Sequence, residues 1–224
     1  MGGVDRVCEK KKLSDRWKSI LEKKTVIVDY GCALPTFLMN ITDKGIRRIG
    51  VEEDKHALTT GRRNGVTMMT SDKFFRYIRD NSVDILRFSH VLEHTINPKR
   101  ILEKSVRKLR NNGIIYITQP NFPVLKAEYG GVMLKDCVYP EHLHFFNPYS
   151  LTLLIKSLDL KIEKLISHTC EEAAYEQYKD NMDHTFWNSE TDYLKEAGDQ
   201  FFGKYCNHPY YCGENSYLIA RKIR

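Results

Sequence analysis

"VIVDYGCALPTF", Val26 to Phe37, decides the fold. Val26 to Tyr30 form a short run rich in β-branched residues that stops at Gly31, and such side chains are stiff at χ1 and pack well on a pleated surface. A short β-branched run that ends in a glycine turn is the signature of a buried parallel strand. After the glycine, "TFLMNI" returns to helical spacing. Strand, tight turn and helix start together make the first half of a βαβ unit.

Working outward, the same alternation continues. Downstream come the strand "RRIGVE", the helix "DKHALTTGRR", the strand "VTMM", the helix "DKFFRYIRD" and the strand "VDILRFS". The helix "NPKRILEKSVRKLR" follows, started by Asn97 as N-cap with Pro98 at the first helical position and expected to close at Gly113. "GIIYITQP" is the next strand. Such alternation calls for a doubly wound α/β sheet. Asn147 caps a further helix, "NPYSLTLLIKSL", before the strands "KIEKLIS" and "NSYLIARKI". Upstream, Ser14 to Lys23 has helical spacing, with Trp17, Ile20 and Leu21 on one side. Three stretches lack a period: residues 1–13 read as a linker, 121–146 as a lid loop and 170–212 as an acceptor-side insertion rich in aromatic residues. The linker-like start fits a single domain excised from a longer polypeptide.

Composition narrows the class. With 224 residues, 42% hydrophobic and 29% charged, the chain can bury one full core, and no apolar run nears the roughly 20 residues that cross a bilayer. The six cysteines show no CxxC pair, which points to free thiols in a reducing cytoplasm, although Cys206 and Cys212 are close enough in sequence to pair. The net charge of +6 is spread along the chain, so it reads as a solvated surface more than as a nucleic-acid stripe.

The turn after the first strand has Gly31, then Ala33 and Pro35 where a phosphate-binding loop carries further glycines, which argues against a pyrophosphate. Glu52 ends the second strand about twenty residues on, where an acid holds a ribose diol. Asp29 and Glu52 together favour a ribose and a cation. "SHVLEHTINP" (Ser89 to Pro98) sets His90, Glu93 and His94 close together, and on a helix the two histidines would share a face. H-x-x-E-H is also the inverted zinc-peptidase signature, but Asn97-Pro98 restarts the chain too soon for that enzyme's long helix. His142 and His144 in "EHLHFF" form a second cluster, and both clusters follow strands that should end at one cleft.

In order, "VIVDYGCALPTFL", "IGVEEDKHAL", "VDILRFSHVLEHTINPKRIL", "LRNNGIIYITQPN" and "EHLHFFNPYSL" resemble the successive motifs of class I S-adenosylmethionine-dependent methyltransferases. Within that class the chain looks like the small enzymes with a leucine-glutamate-histidine motif after the fourth strand. The resemblance implies a Rossmann-like, doubly wound and mostly parallel seven-stranded sheet, with helices on both faces and the last strand antiparallel. It also implies that Asp29 and Gly31 lie beside the methionine part of the cofactor, that Ala33 belongs to the same cofactor-binding loop, that Glu52 binds the ribose and that Ser71 or Asp72 binds the adenine. Ser89 would face the sulfonium. Ala33 fits the loop if its φ is negative, and Pro35 gives up a donor that is spare in a first helical turn.

Methyl transfer to oxygen needs an aligned hydroxyl that loses its proton as it attacks. His94, His142 and His144 are the candidate bases. A divalent metal, Mn²⁺ or Mg²⁺, held by His90, Glu93 and His94, would acidify the hydroxyl. The resemblance points to a carbohydrate acceptor, a glycan hydroxyl such as that of a deoxyhexose, in a domain fused to or working beside glycosyltransferases. Two other readings stay open: an enzyme for a small phenol or RNA, and a non-catalytic fold that binds a partner.

Overall fold

The computed structural model describes residues 25–120, 140–168 and 215–223. Its sheet has seven strands: β1 (Val26–Tyr30), β2 (Arg47–Val51), β3 (Thr67–Met69), β4 (Val83–Ser89), β5 (Leu109–Pro120), β6 (Leu160–His168) and β7 (Asn215–Lys222). Their order is β3-β2-β1-β4-β5-β7-β6, and β7 runs antiparallel to both β5 and β6. The other pairings are parallel. The doubly wound sheet with an antiparallel last strand is therefore present as expected.

Helices cover both faces. On one, α1 (Thr36–Met39) and α2 (Lys55–Arg63) bring Leu38 and Leu58 onto Ile27, Ile85 and Tyr116. On the other, α3 (Ser71–Tyr77), α4 (Pro98–Lys108) and α5 (Pro148–Lys156) bring Phe74, Leu102 and Leu151 onto Val28, Leu86 and Ile117. Successive strand residues feed the two cores in turn, because their side chains point to opposite faces. The helix starts follow from local chemistry. Asp54 accepts from the Ala57 backbone N–H at 2.7 Å, Asn97 accepts from that of Arg100 at 2.9 Å, and Asn147 forms a reciprocal capping box with Ser150.

Gly113 does not close α4. The helix ends at Lys108 and the chain enters β5 at once; Val83 pairs with Leu109, whereas Ile85 pairs with Ile114. The surplus residues bulge, Asn112 takes a φ of 61°, and Arg110 reaches Asp84 at 2.5 Å. A Cβ on Gly113 would lie 2.8 Å from the Arg110 carbonyl oxygen, so this glycine serves a close backbone approach.

The strand order reverses between β1 and β4, and open α/β sheets bind ligands at the carboxyl ends of the strands there. Around that point lie the β1–α1 loop, Glu52 after β2 and the segment after Ser89. No helix among the described residues is long and apolar enough to cross a membrane. Residues 1–13, the helix expected at Ser14 to Lys23, the insertion at 170–212 with Cys206 and Cys212, and the lid up to residue 139 lie outside the described residues.

Candidate active site

The loop after β1 is pinned to β2 by its backbone. Gly31 and Cys32 both donate their N–H to the Val51 carbonyl, at 2.8 and 3.2 Å. Gly31 has a φ of 66°, and a Cβ there would lie 2.6 Å from Cγ2 of Val91, so only glycine fits under that side chain. Ala33, expected at negative φ, sits at 46° instead. The reason is the carboxylate opposite: in this conformation Ala33 donates its N–H to Oε2 of Glu52 at 2.8 Å. A left-handed alanine costs about 1–2 kcal/mol. A hydrogen bond to a charged acceptor returns about 1.5–3 kcal/mol. Pro35 behaves as read: its absent donor is no loss, and its carbonyl accepts from Met39 at 2.9 Å.

Glu52 also accepts from Glu53 and Asp54 through Oε1, at 2.7 and 3.2 Å. Three of its roughly four lone-pair sites are thus taken. Next to it, Glu53 accepts from the Ser71 backbone N–H at 2.8 Å, and the Ser71 hydroxyl meets the Tyr30 hydroxyl at 2.5 Å. Burial raises the Tyr30 pKa, against the pull of that hydrogen bond. Asp72 points away, exposed and paired with Arg76 at 3.4 Å, so of these two residues it is Ser71 that faces the sheet. Asp29 is 1% exposed and takes two bonds from Nη1 of Arg87 in β4, at 2.8 and 2.9 Å. Burial raises its carboxyl pKa, with the Arg87 charge opposing. At the end of β4, the Ser89 hydroxyl meets that of Thr118 in β5 at 3.1 Å.

The segment after Ser89 is not a helix. His90 has a φ of 53° and donates its N–H to the Thr118 carbonyl at 2.8 Å, which holds it against β5, and only Leu92–His94 makes a single 3₁₀ turn. His90 and His94 therefore do not share a helical face. The Glu93 side chain is 2% exposed, and neither of its carboxylate oxygens has a hydrogen-bond partner; His90 Nδ1 stands 3.5 Å from Oε1. Its carbonyl is used twice, accepting from Leu143 at 2.7 Å and from His144 at 3.1 Å, and these bonds seat residues 141–146 against the turn.

The two histidine clusters meet through this contact. His94 and His142 pack edge to face with centroids 4.7 Å apart. His94 Nδ1 lies 2.8 Å from the Glu141 carbonyl, which assigns the proton to Nδ1 and leaves Nε2 as a base or ligand. Glu93, His94 and His142 each offer a ligand atom within 4.8 Å of the others. His90 is outside that set, while His144 leans on Phe146 at 5.9 Å between centroids. Sequence reasoning missed Val91, Glu53, Thr118 and Arg87. Only Arg87 left a signal, as a lone cation inside the apolar run of β4.

A family model described as a methyltransferase domain matches residues 6–165. The chain belongs to this methyltransferase family. A relative from Mycobacteroides abscessus, described as an uncharacterized methyltransferase, is 29% identical over 129 residues; the match covers 53% of this chain and 49% of that protein, so the chain spans about half the length of the curated relative. A SAM-dependent methyltransferase from Archaeoglobus fulgidus superposes with a TM-score of 0.63 at 18% identity, covering 93% of this chain and 90% of the other. A SAM-dependent methyltransferase from Thermotoga maritima, described as a possible histamine N-methyltransferase, gives 0.61 at 16% identity, with 93% and 86% covered. At these identities the superpositions speak for the fold.

S-adenosylmethionine, the cofactor of this class, suits the residues present. Gly31 makes the tight turn under Val91 that ends β1, Glu52 keeps one acceptor site open beside it, and Ser71 stands at the start of α3. When bound, the cofactor supplies an electrophilic methyl group on a sulfonium.

Proposed function

We propose that this methyltransferase methylates a hydroxyl group of a sugar unit in a glycan, with His94 as the base. The reading is carried by the setting of His94: its Nδ1 is committed to the Glu141 carbonyl, which frees Nε2 beside His142 and Glu93, just beyond Ser89. A sulfonium methyl already carries a good leaving group. An alkyl hydroxyl is the harder partner, because its proton must leave as it attacks. A fixed imidazole just beyond the carboxyl end of β4 addresses that need, and His142 packs against it with ring centroids 4.7 Å apart. Leu143 and Phe145 on the same segment are 44% and 47% exposed.

In a metal-assisted form of the same reaction His94 would spend its Nε2 lone pair on a divalent ion instead of a proton: Glu93, His94 and His142 would hold the ion, with His90 at its edge through Glu93. Such an ion lowers the pKa of a hydroxyl set on it. Two imidazoles with one carboxylate suit Mn²⁺ better than Mg²⁺, which prefers oxygen. The same reading places the domain in the cytoplasm, fused to or beside glycosyltransferases that build the acceptor.

The test is transfer of labelled methyl from S-adenosylmethionine to a panel of deoxyhexose glycosides, small phenols and RNA, with Mn²⁺ or with chelator. Labelled glycoside, lost in His94→Ala, is the expected result. Labelled phenol or RNA alone, or full turnover in His94→Ala, overturns the acceptor or the base; full turnover in chelator removes the ion. No label in any acceptor, with the cofactor bound, favours a partner-binding domain.

A further inference from the structure

Asp29 and Arg87 are register partners on β1 and β4, two residues ahead of Gly31 and Ser89 respectively. Both bonds to Asp29 come from Nη1 of Arg87, so the Nε–Nη2 edge of the guanidinium is uncommitted among the described residues. Nε is buried without a hydrogen-bond partner. The ring of Phe37, from α1, lies 4.4 Å under the guanidinium and fixes its plane. An apolar pair would hold two strands at least as well as a buried ion pair does, so stability alone is a weak reason for these residues. The free edge is the one that pairs side-on with carboxylates through two parallel N–H bonds.

We propose that the Nε–Nη2 edge of Arg87 binds the α-carboxylate of the methionine part of S-adenosylmethionine, while Asp29 accepts from its α-ammonium. This rests on the cofactor reading and extends it to a residue inside β4. The charges alternate: carboxylate, guanidinium, carboxylate, ammonium. No net charge is added to the sheet when the zwitterion docks, and the orphaned Nε gains an acceptor. The side chain of Arg87 is 18% exposed and lies two residues before the end of β4.

The experiment compares two nucleosides by calorimetry. S-adenosylhomocysteine carries both charged groups, and 5′-methylthioadenosine lacks both. In Arg87→Met, affinity for S-adenosylhomocysteine should fall at least about tenfold while that for 5′-methylthioadenosine stays within about twofold. Arg87→Lys, which keeps the charge but loses the fork, should lie between. Equal losses for both nucleosides, or none, would show a purely structural pair and overturn the proposal. Arg87→Met leaves Asp29 unpaired; should it unfold, the neutral double variant Asp29→Asn/Arg87→Met carries the same comparison with the same outcomes. Wild-type protein that binds neither nucleoside would sink the cofactor reading itself, a result separate from any change seen only in the variants.

Discussion

Two polar clusters at the carboxyl edge of the sheet, around Glu52 and around Glu93, differ in how far the chain satisfies them. The Glu52 carboxylate accepts three backbone N–H groups and holds the loop from Gly31 to Pro35 in one shape. Close by, burial, with Asp29 and Glu52 adding to it, pushes the Cys32 thiol up to about 12, so this loop carries an inert thiol at neutral pH. The Glu93 carboxylate is more deeply buried and has no hydrogen-bond partner, although the backbone carbonyl of the same residue is used twice. Burying an unpaired carboxylate is costly, and chains tolerate it mainly where a ligand or a reaction needs it. The first cluster is a finished mould into which a cofactor fits. The second is seated by its backbone, while its carboxylate has only His90 Nδ1 near it, at 3.5 Å.

The largest expected effect tests the rigidity of the mould. Gly31→Ala combines a left-handed alanine with a contact at 2.6 Å to Val91, so unfolding in urea should show a loss of about 3 kcal/mol. A loss below about 1 kcal/mol would mean that Val91 yields and that the loop is softer than its hydrogen bonds suggest. Next comes the open cluster. Glu93→Gln should reduce turnover about 100-fold and abolish Mn²⁺ binding, with affinity for S-adenosylhomocysteine unchanged and thermal stability undiminished. A parallel fall in cofactor affinity would break the separation between the clusters. A smaller effect is expected at Glu52→Gln, which offers an amide where three N–H groups need acceptors: cofactor affinity should weaken about tenfold with turnover at saturation preserved.

Much of this arrangement is legible in the chain because its signals are local. β4 spans Val83 to Ser89 as its β-branched and aromatic run implies, and Asn97 and Asn147 cap the helices that their side chains announce. Errors arise where the third dimension overrules local preference. His90 and His94 have helical spacing, but the backbone bond from His90 to Thr118 on β5 holds the chain in a left-handed turn. "RNNG" looks like a helix end, yet the register against β4 makes it a bulge. Arg87 meets Asp29 through a strand register that no spacing within either strand encodes. Nor does sequence distance say that His142 will pack on His94; that contact depends on two backbone bonds to the Glu93 carbonyl.

The smallest effect examines the mould most directly. Ala33 holds a φ of 46°, a conformation that costs an alanine about 1–2 kcal/mol and a glycine almost nothing. Ala33→Gly removes that strain but gives the unfolded chain more freedom, which takes back about 0.4–1 kcal/mol. The net expectation is a protein more stable by about 0.5–1 kcal/mol in urea, with the bond to Glu52 retained, since a backbone N–H makes it. Cofactor titration of the same variant then separates two causes. Unchanged affinity would mean that Glu52 alone shapes the loop and that the strain is incidental. Weaker affinity despite higher stability would mean that the alanine keeps the free loop from wandering, so that part of the binding free energy lies in its pre-organisation. Lower stability would contradict the strain at Ala33, and with it the picture of Glu52 as the group that holds the loop in an otherwise disfavoured turn.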